Sequence, residues 1–146
     1  MNDIDYKVLK IIYRNNRKAK IKHIQDELNN YGYHEVRYST IDSCIERLHE
    51  QKLVIWEKYQ PIELTTEGEN YAKELIRHTQ LLEVLLYKEL DLTTEEAHNE
   101  SEKFNLLFSC KTINRICEKY DHPEECPCGE KILNSNNCFC QKEFSD

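Results

Sequence analysis

The sequence predicts a mainly α-helical chain that contains one small β-hairpin and ends in a short cysteine-rich tail. Apolar residues recur at the spacing of amphipathic helices over most of the first 120 positions. One short stretch near the middle is rich in β-forming residues and interrupts that spacing. From residue 121 onward the periodicity is absent, and proline, asparagine and cysteine become frequent.

Helical spacing predicts three short helices in the first 50 residues. The first covers residues 3–14, the second ends near Gly32, and Ser39 or Thr40 offers an N-cap to the third. Basic residues cluster where the first helix gives way to the second. The apolar positions behind these predictions are Ile4, Val8, Ile11, Ile12, Ile21, Ile24, Leu28, Ile41, Cys44, Ile45 and Leu48.

A hairpin and three further helices are predicted next. The Gln60-Pro61 pair supplies the turn between two β-rich segments. Threonines followed by glutamates mark the starts of the two helices after it. The predicted elements are strands at 53–56 and 62–64, a long helix from Thr65 or Thr66 through Leu86, a helix from Thr93 or Thr94 to about Ser109, and a short helix at 112–120.

Charge is distributed unevenly along the chain. The whole sequence has a formal net charge of −7, which at first sight argues against nucleic acid as a partner. Residues 1–60, however, carry eleven Lys and Arg against nine Asp and Glu, whereas the remaining residues carry nine against eighteen. The front is mildly basic and the back strongly acidic, which indicates separate roles for the two parts.

Composition and motifs disfavour several classes of protein. No apolar run reaches the ~20 residues that a membrane helix needs, and no signal peptide is visible, so we expect a cytoplasmic protein without a membrane partner. In that compartment the seven cysteines are expected as thiols or metal ligands rather than disulfides. Three glycines argue against Gly-rich phosphate loops. Catalytic triads, nucleophile elbows and His-Glu-x-x-His motifs are not seen, so we expect neither an enzyme nor a small organic substrate.

Three short helices followed by a two-stranded hairpin are typical of a winged helix-turn-helix domain. In that fold the third helix enters the major groove and the hairpin, or wing, contacts the DNA backbone. Candidate contacts at the start of the third helix are Arg37, Tyr38, Ser39, Thr40 and Ser43, and candidate phosphate contacts are Lys18, Lys20, Lys22 and Lys58. The alternative is a small helical domain with ordinary solvated lysines, which Asp42 and Glu46 favour because carboxylates repel phosphate.

A set of ordered motifs resembles the iron-dependent repressor family, the diphtheria-toxin-repressor and manganese-transport-regulator group. The motifs are Ser39-Thr40-Ile41, Leu53 to Tyr59, Leu64-Thr65-Thr66-Glu67-Gly68, Arg77-His78, Glu95 to Glu100, and Glu125-Cys126-Pro127-Cys128-Gly129. The resemblance implies a homodimeric transcriptional regulator whose winged helix binds a palindromic operator on double-stranded DNA. It also implies a second, helical domain that dimerises and binds divalent metal. The expected boundaries are 1–66, 67–120 and, for the tail, 121–146.

The metal site that the resemblance implies is carried over one residue at a time. Asp5 stands at the ligand position of the first helix, and His78 matches the histidine of the long linking helix. Glu102 stands where the family has a cysteine or glutamate ligand, and His98 matches a ligand of the second site in iron-type members. Other ligand positions hold Val8, Asn105, Leu106 and Leu82, with Glu83 one residue beyond the last of these. The retained donors suit Mn²⁺, Fe²⁺ or Zn²⁺, whereas the replaced ones suggest a decayed site.

Four cysteines of the tail form two Cys-x-Cys pairs, namely Cys126 with Cys128 and Cys138 with Cys140. Four thiolates suit a tetrahedral Zn²⁺ site, and metal binding can order a segment that has few apolar residues. An iron–sulfur cluster uses the same donors. The four cysteines are also consistent with a reversible disulfide switch or with a disordered tail of reduced thiols. The remaining cysteines, Cys44, Cys110 and Cys117, are predicted to lie in the core.

The function expected from these observations is a dimeric, DNA-binding transcriptional regulator, a repressor by resemblance, that responds to metal or to redox state. The metal sensor in this hypothesis has moved from the replaced family site to the cysteine tail. An adaptor or antirepressor that keeps the winged-helix scaffold but no longer binds DNA is the alternative. Affinity for DNA that falls steeply with salt would favour the regulator.

Overall fold

The computed structural model of the 146-residue chain describes residues 1–33, 35–103 and 108–134. It confirms the mainly helical fold with a small sheet. The helices are α1 (Asp3–Arg14), α2 (Ile21–Asn30), α3 (Tyr38–Glu50), α4 (Thr66–Leu90), α5 (Thr94–Glu102) and α6 (Cys110–Lys119), and the strands are β1 (Lys18–Ala19), β2 (Val54–Ile55) and β3 (Ile62–Leu64). The chain forms two compact units, residues 1–73 and 74–146, with the division inside α4.

The first unit is a three-helix core with a sheet beside it. The side chains that helical spacing assigned to the core are almost all buried: Val8, Ile11, Ile12, Ile24, Leu28, Ile41, Cys44, Ile45 and Leu48. Burying a Leu or Ile side chain contributes roughly 1.5–3 kcal/mol, so this set supplies the main driving force for the unit.

The sheet has three strands among the described residues, one more than the predicted hairpin. Strand β3 lies in the middle and pairs antiparallel with both β1 and β2. Lys18 pairs with Glu63 in β1, a stretch that the sequence suggested was only a basic connector. Two residues carry too little periodicity to be recognised as a strand, and β1 exists because its backbone finds a partner in β3.

Gly68 allows α4 to approach the backbone of the segment between α3 and β2. A Cβ atom at this position would lie 1.9 Å from the backbone oxygen of Leu53, so no larger residue fits without moving backbone. The turn before it is closed by Thr65, whose Oγ1 accepts a hydrogen bond from the Gly68 amide at 2.9 Å and donates to the Lys52 carbonyl. Thr65 is therefore the N-cap that the sequence predicted for this helix.

Other helix ends differ in part from the predictions. Thr93 and Glu96 form the predicted capping box of α5. Helix α3 begins at Tyr38, with Arg37 in the extended N-cap conformation, so Ser39 and Thr40 lie within the first turn rather than at the cap. Helix α5 ends at Glu102, before the predicted end near Ser109, and Ser109 instead caps α6 by accepting from the Thr112 amide. Residues 104–107 lie outside the described ranges.

The second unit packs α6 and the following segment against α4. Its apolar cluster contains Leu81, Val84, Ile113, Ile116, Cys126 and Ile132, with Leu85, Cys117 and Tyr120 at its edge. After α6 the backbone folds back on itself, because the Cys126 amide donates to the Glu130 carbonyl and the Ile132 amide donates to that of Glu124. The Gln80 side chain fastens this loop to α4 through the Lys131 carbonyl and the Leu133 amide.

None of the helices in the described ranges is long and apolar enough to cross a membrane. Helix α4 is the longest, and it buries several polar side chains, among them Glu74, His78 and Glu83. Burying a polar or charged group costs free energy unless it is paired. These buried polar residues of α4 therefore mark the place to look for a site.

Candidate metal centre

The first group of metal-binding side chains combines Glu83, His98 and Cys128, and we call it the Glu83 group. Glu83 projects from α4 and is only 1% exposed. Its Oε1 lies 3.0 Å from Nδ1 of His98 on α5, and its Oε2 accepts a hydrogen bond from the Cys128 amide at 3.1 Å. Three separate parts of the second unit thus converge on one buried carboxylate.

Cys126 adjoins this group. Its sulfur lies 3.0 Å from that of Cys128 and 3.2 Å from the Glu130 carbonyl oxygen. Burial raises the pKa of the Cys126 thiol, and the neighbouring Cys128 sulfur and the charge of Glu83 raise it further. Burial also raises the pKa of Cys128. Both shifts keep the two thiols protonated next to the Glu83 carboxylate. A divalent cation bound at this point would instead favour the thiolate forms.

The donor atoms of the Glu83 group fit a metal ion. They all lie within 4.8 Å of one another, whereas bond lengths of about 2.0–2.3 Å place neighbouring donors of a tetrahedral zinc site about 3.4–3.8 Å apart. Small side-chain movements would close that difference. A carboxylate, an imidazole and one or two thiols make a mixed set that suits zinc better than magnesium or calcium, which prefer oxygen ligands.

A second group lies on the same helix and consists of Glu74, His78 and Cys110, called here the Glu74 group. Nε2 of His78 lies 3.0 Å from Oε1 of Glu74, and the Cys110 sulfur lies 3.1 Å from the same oxygen. His78 is 3% exposed, and its Nδ1 has no hydrogen-bond partner within the described ranges. Cys110 is disulfide-bonded in the structure, whereas the cysteines were expected as thiols or metal ligands rather than disulfides. Its sulfur could therefore bind a metal ion only after reduction.

The remaining residues of the family-derived set do not join either group. Both oxygens of Asp5 accept hydrogen bonds from Arg47, at 2.8 and 2.9 Å. Burial disfavours the charged carboxylate, but the hydrogen bonds from Arg47, Cys44 and the Asn2 amide outweigh it, and the pKa of Asp5 is lowered. Glu102 is buried on α5 and is a member of neither group. Cys138 and Cys140 lie outside the described residues.

The candidate DNA contacts all lie on the surface of the first unit. Arg37, Tyr38, Ser39, Thr40 and Ser43 are exposed along the start of α3, as are the lysines at 18, 20, 22 and 58. Two of those lysines have acidic neighbours, since Lys18 lies 3.9 Å from Glu63 and Lys22 lies 3.1 Å from Asp26. Solvent screens exposed pairs of this kind strongly, so both lysines remain able to contact phosphate.

Sequence reasoning missed three of the residues that the two groups contain. Glu74 precedes His78 by four positions, a helical spacing that could have drawn attention to it. The motifs indicated Glu83 only as a neighbour of the position where the family has glutamate. Cys110 was predicted to lie in the core, and it is indeed buried, but it lies against a carboxylate. No local pattern indicates that Cys128 meets Glu83, because 45 positions separate them.

Comparison with known proteins finds similarity over much of the chain. Residues 65–134 match the family model described as iron dependent repressor, metal binding and dimerisation domain. The HTH-type transcriptional regulator MntR of Lysinibacillus sphaericus (strain C3-41) is 26% identical over 117 residues, which is 80% of this chain and 79% of that protein. MntR of Bacillus subtilis (strain 168) is 28% identical over 100 residues, which is 68% of this chain and 70% of that protein.

Two solved structures are similar over nearly the whole chain. The manganese regulator SloR superposes with a TM-score of 0.76 at 28% identity, over 94% of this chain and 61% of its own. A manganese-dependent transcriptional repressor in complex with manganese gives 0.78 at 27% identity, over 91% and 60%. This chain therefore spans about 60% of the length of these two structural relatives. The relatives are named as transcriptional regulators or repressors, and the three comparisons agree that this chain is similar to members of the iron-dependent repressor family.

Proposed function

We propose that this protein is a DNA-binding, metal-responsive transcriptional repressor whose metal centre is the Glu83 group with Cys126 as a further ligand. The observation that carries the proposal is the convergence of a buried carboxylate, an imidazole and a thiol on one point, within the residues that match a metal-binding and dimerisation domain. The first unit supports DNA binding, because it exposes the polar start of α3. The relatives are named as regulators, which disfavours the adaptor alternative.

Zinc is the metal that we propose for this centre. Glu83 would supply an oxygen, His98 a nitrogen, and Cys126 and Cys128 two sulfurs, which completes a tetrahedral set without Cys138 and Cys140. The metal would neutralise the buried carboxylate and hold α4, α5 and the loop after α6 together. The Glu74 group is the weaker candidate, because its sulfur is disulfide-bonded.

The proposed regulator works as a cytoplasmic homodimer on a palindromic operator. Two copies of α3 would read half-sites about one DNA turn apart, which is the usual geometry of dimeric helix-turn-helix proteins. A metal ion can change DNA affinity only if it binds one arrangement of the dimer better than another. Helix α4 begins two residues after β3, the second strand of the wing, and also carries Glu83. This helix could therefore transmit an ordering of the metal centre to the wing.

The metal centre is tested by zinc titration of the reduced full-length protein against a chromophoric chelator. Glu83→Gln, His98→Gln and Cys128→Ser should each lower zinc affinity by about tenfold or more, because each removes one ligand. His23→Gln is the matched control, since this histidine belongs to the first unit and is a member of neither group. Unchanged zinc affinity in all three variants would contradict the assignment.

DNA binding is tested separately, with a palindromic duplex selected from a randomised pool and labelled for fluorescence anisotropy. Added zinc sulfate should strengthen binding by the wild-type protein and not by Cys128→Ser. Affinity should fall steeply between about 50 and 200 mM salt, as expected when several phosphates are contacted. A sedimentation measurement on the same samples should report a dimer. The repressor proposal fails if no duplex is retained even at low salt.

A further inference from the structure

A thiol and an imidazole lie side by side at the end of α6, outside both metal-binding groups. The sulfur of Cys117 lies 3.4 Å from Nδ1 of His122. The chain turns back between them, because Asp121 and His122 both adopt positive φ angles and the His122 amide donates to the Cys117 carbonyl at 2.8 Å. Two consecutive non-glycine residues with left-handed backbone conformations are uncommon. The turn that they form brings the imidazole next to the sulfur.

Cys117 differs from the other described cysteines in its surroundings. It is half-buried and lines an open cleft of about 630 Å³, together with His122 and Pro123. Burial raises the pKa of Cys44 and of Cys126, and it also raises that of Cys128. Cys110 is disulfide-bonded. Cys117 and Cys128 are the described free cysteines that are not buried. Cys128 belongs to the Glu83 group, whereas Cys117 lies outside both groups and has the His122 imidazole beside it.

The charges that line the cleft are mixed. Arg77 of α4 and Lys131 supply positive charge, and Glu124 and Glu125 supply negative charge. The guanidinium of Arg77 forms a hydrogen bond within the second unit, in which Nη1 donates to the Leu133 carbonyl at 3.0 Å. These opposed charges give the cleft no strong net charge. Among the described residues, His122 has a side-chain nitrogen within hydrogen-bond distance of the Cys117 sulfur and can accept its proton.

We propose that Cys117 is a modification site that reacts with hydroperoxides, with His122 as its base. The imidazole takes the thiol proton, and the sulfur attacks one oxygen of the peroxide. The S–O bond forms as the O–O bond breaks, so the sulfur loses two electrons and the peroxide gains them. The imidazolium returns the proton to the departing hydroxide, which leaves as water when the oxidant is hydrogen peroxide. The product is a sulfenic acid on Cys117.

The first test measures alkylation of the reduced full-length protein by iodoacetamide, with the rate at each cysteine read from peptide masses. At pH ~7 we expect Cys117 to react about tenfold faster than the buried Cys44, because the thiolate is the nucleophile. His122→Gln should slow labelling of Cys117 by about tenfold at that pH and have little effect at pH ~10, where thiols ionise without a base. His23→Gln is the matched control and should change neither rate.

The second test uses hydrogen peroxide with dimedone, which traps sulfenic acids. The adduct should form on Cys117 in the wild-type protein, decrease in His122→Gln and disappear from that peptide in Cys117→Ser. The proposal is overturned if Cys117 is alkylated no faster than Cys44, if His122→Gln leaves its rate unchanged at pH ~7, or if dimedone marks other cysteines in preference to Cys117. None of these measurements depends on zinc or DNA binding, so their failure would leave the proposed function standing.

Discussion

Replacing Arg47 by methionine should destabilise the first unit in a way that depends on pH. Arg47 of α3 donates two hydrogen bonds to Asp5 of α1, whose side chain is fully buried. Arg47→Met removes these bonds and keeps most of the aliphatic packing, so the carboxylate stays buried with less compensation. Breaking a fully buried pair costs about 3–5 kcal/mol. Because the Arg47 side chain is 37% exposed, water can replace part of the loss, and we expect about 2 kcal/mol.

The sign of the pH dependence follows from the pKa of Asp5, which lies below its ordinary value of 3.8 in the folded protein. A carboxyl group whose pKa is lower in the folded than in the unfolded protein stabilises the fold at any pH above its unfolded-state pKa. That stabilisation is lost as the pH falls through the folded-state pKa. Arg47→Met removes the hydrogen bonds and the charge of Arg47, which lower the pKa of Asp5, while burial still raises it, so this pKa should move upward from its wild-type value. The free-energy gap between wild type and variant should therefore be widest near pH 7 and shrink as the pH falls below about 4.

Urea unfolding followed by circular dichroism, at about pH 7 and about pH 3.5, checks this prediction. The double variant Asp5→Asn/Arg47→Met should lose less stability than the two single variants added together, because it leaves no buried charge. Asp5→Asn alone should leave zinc affinity unchanged, since Asp5 is a member of neither candidate metal-binding group and both its oxygens are hydrogen-bonded to Arg47. An equal loss at both pH values, or strict additivity, would refute the reasoning.

Three further predictions concern packing, DNA binding and capping. Gly68→Ala should destabilise the protein by about 3 kcal/mol in urea unfolding, because the new Cβ would meet the Leu53 carbonyl; a loss within experimental error would show that the backbone adjusts freely. Lys58→Ala should reduce the slope of log DNA affinity against log salt by about one if this wing lysine contacts a phosphate. Lys103→Ala, in the second unit, is the control and should leave the slope unchanged. Equal slopes for Lys58→Ala and the wild-type protein would exclude the contact. Thr93→Ala should cost about 1 kcal/mol by removing the α5 cap, and unchanged stability would count against the cap's role.

The helical part of the fold could be predicted because its signals are local. The apolar spacing of α1, α2 and α3 marks their buried faces directly, and the buried set matches the prediction almost position by position. The caps at Thr65 and Thr93 were recognised because a side-chain oxygen next to the first helical turn satisfies backbone amides a few residues away. Strand β1 was missed because a two-residue strand is defined by its partner and has no pattern of its own.

The candidate site could be predicted only in part. His78, His98, Cys126 and Cys128 were singled out from motifs, and each lies in or beside one of the two candidate groups. Their partners were not predicted. Alignment placed the family's glutamate at position 82, which is a leucine here. Glu83 contacts His98 instead, because packing sets which face of α4 meets α5.

The sequence by itself determined which segments are helical, that the front of the chain is basic and the back acidic, and which donor types are present near the tail. Only the tertiary structure decided how the donors combine. Glu83 meets His98 across 15 positions and Cys128 across 45, so their encounter requires α4, α5 and the loop after α6 to pack on one another. The physical reason is that periodicity and capping act over a few residues, whereas a metal-binding group is assembled by burial of apolar surface between segments distant in the chain.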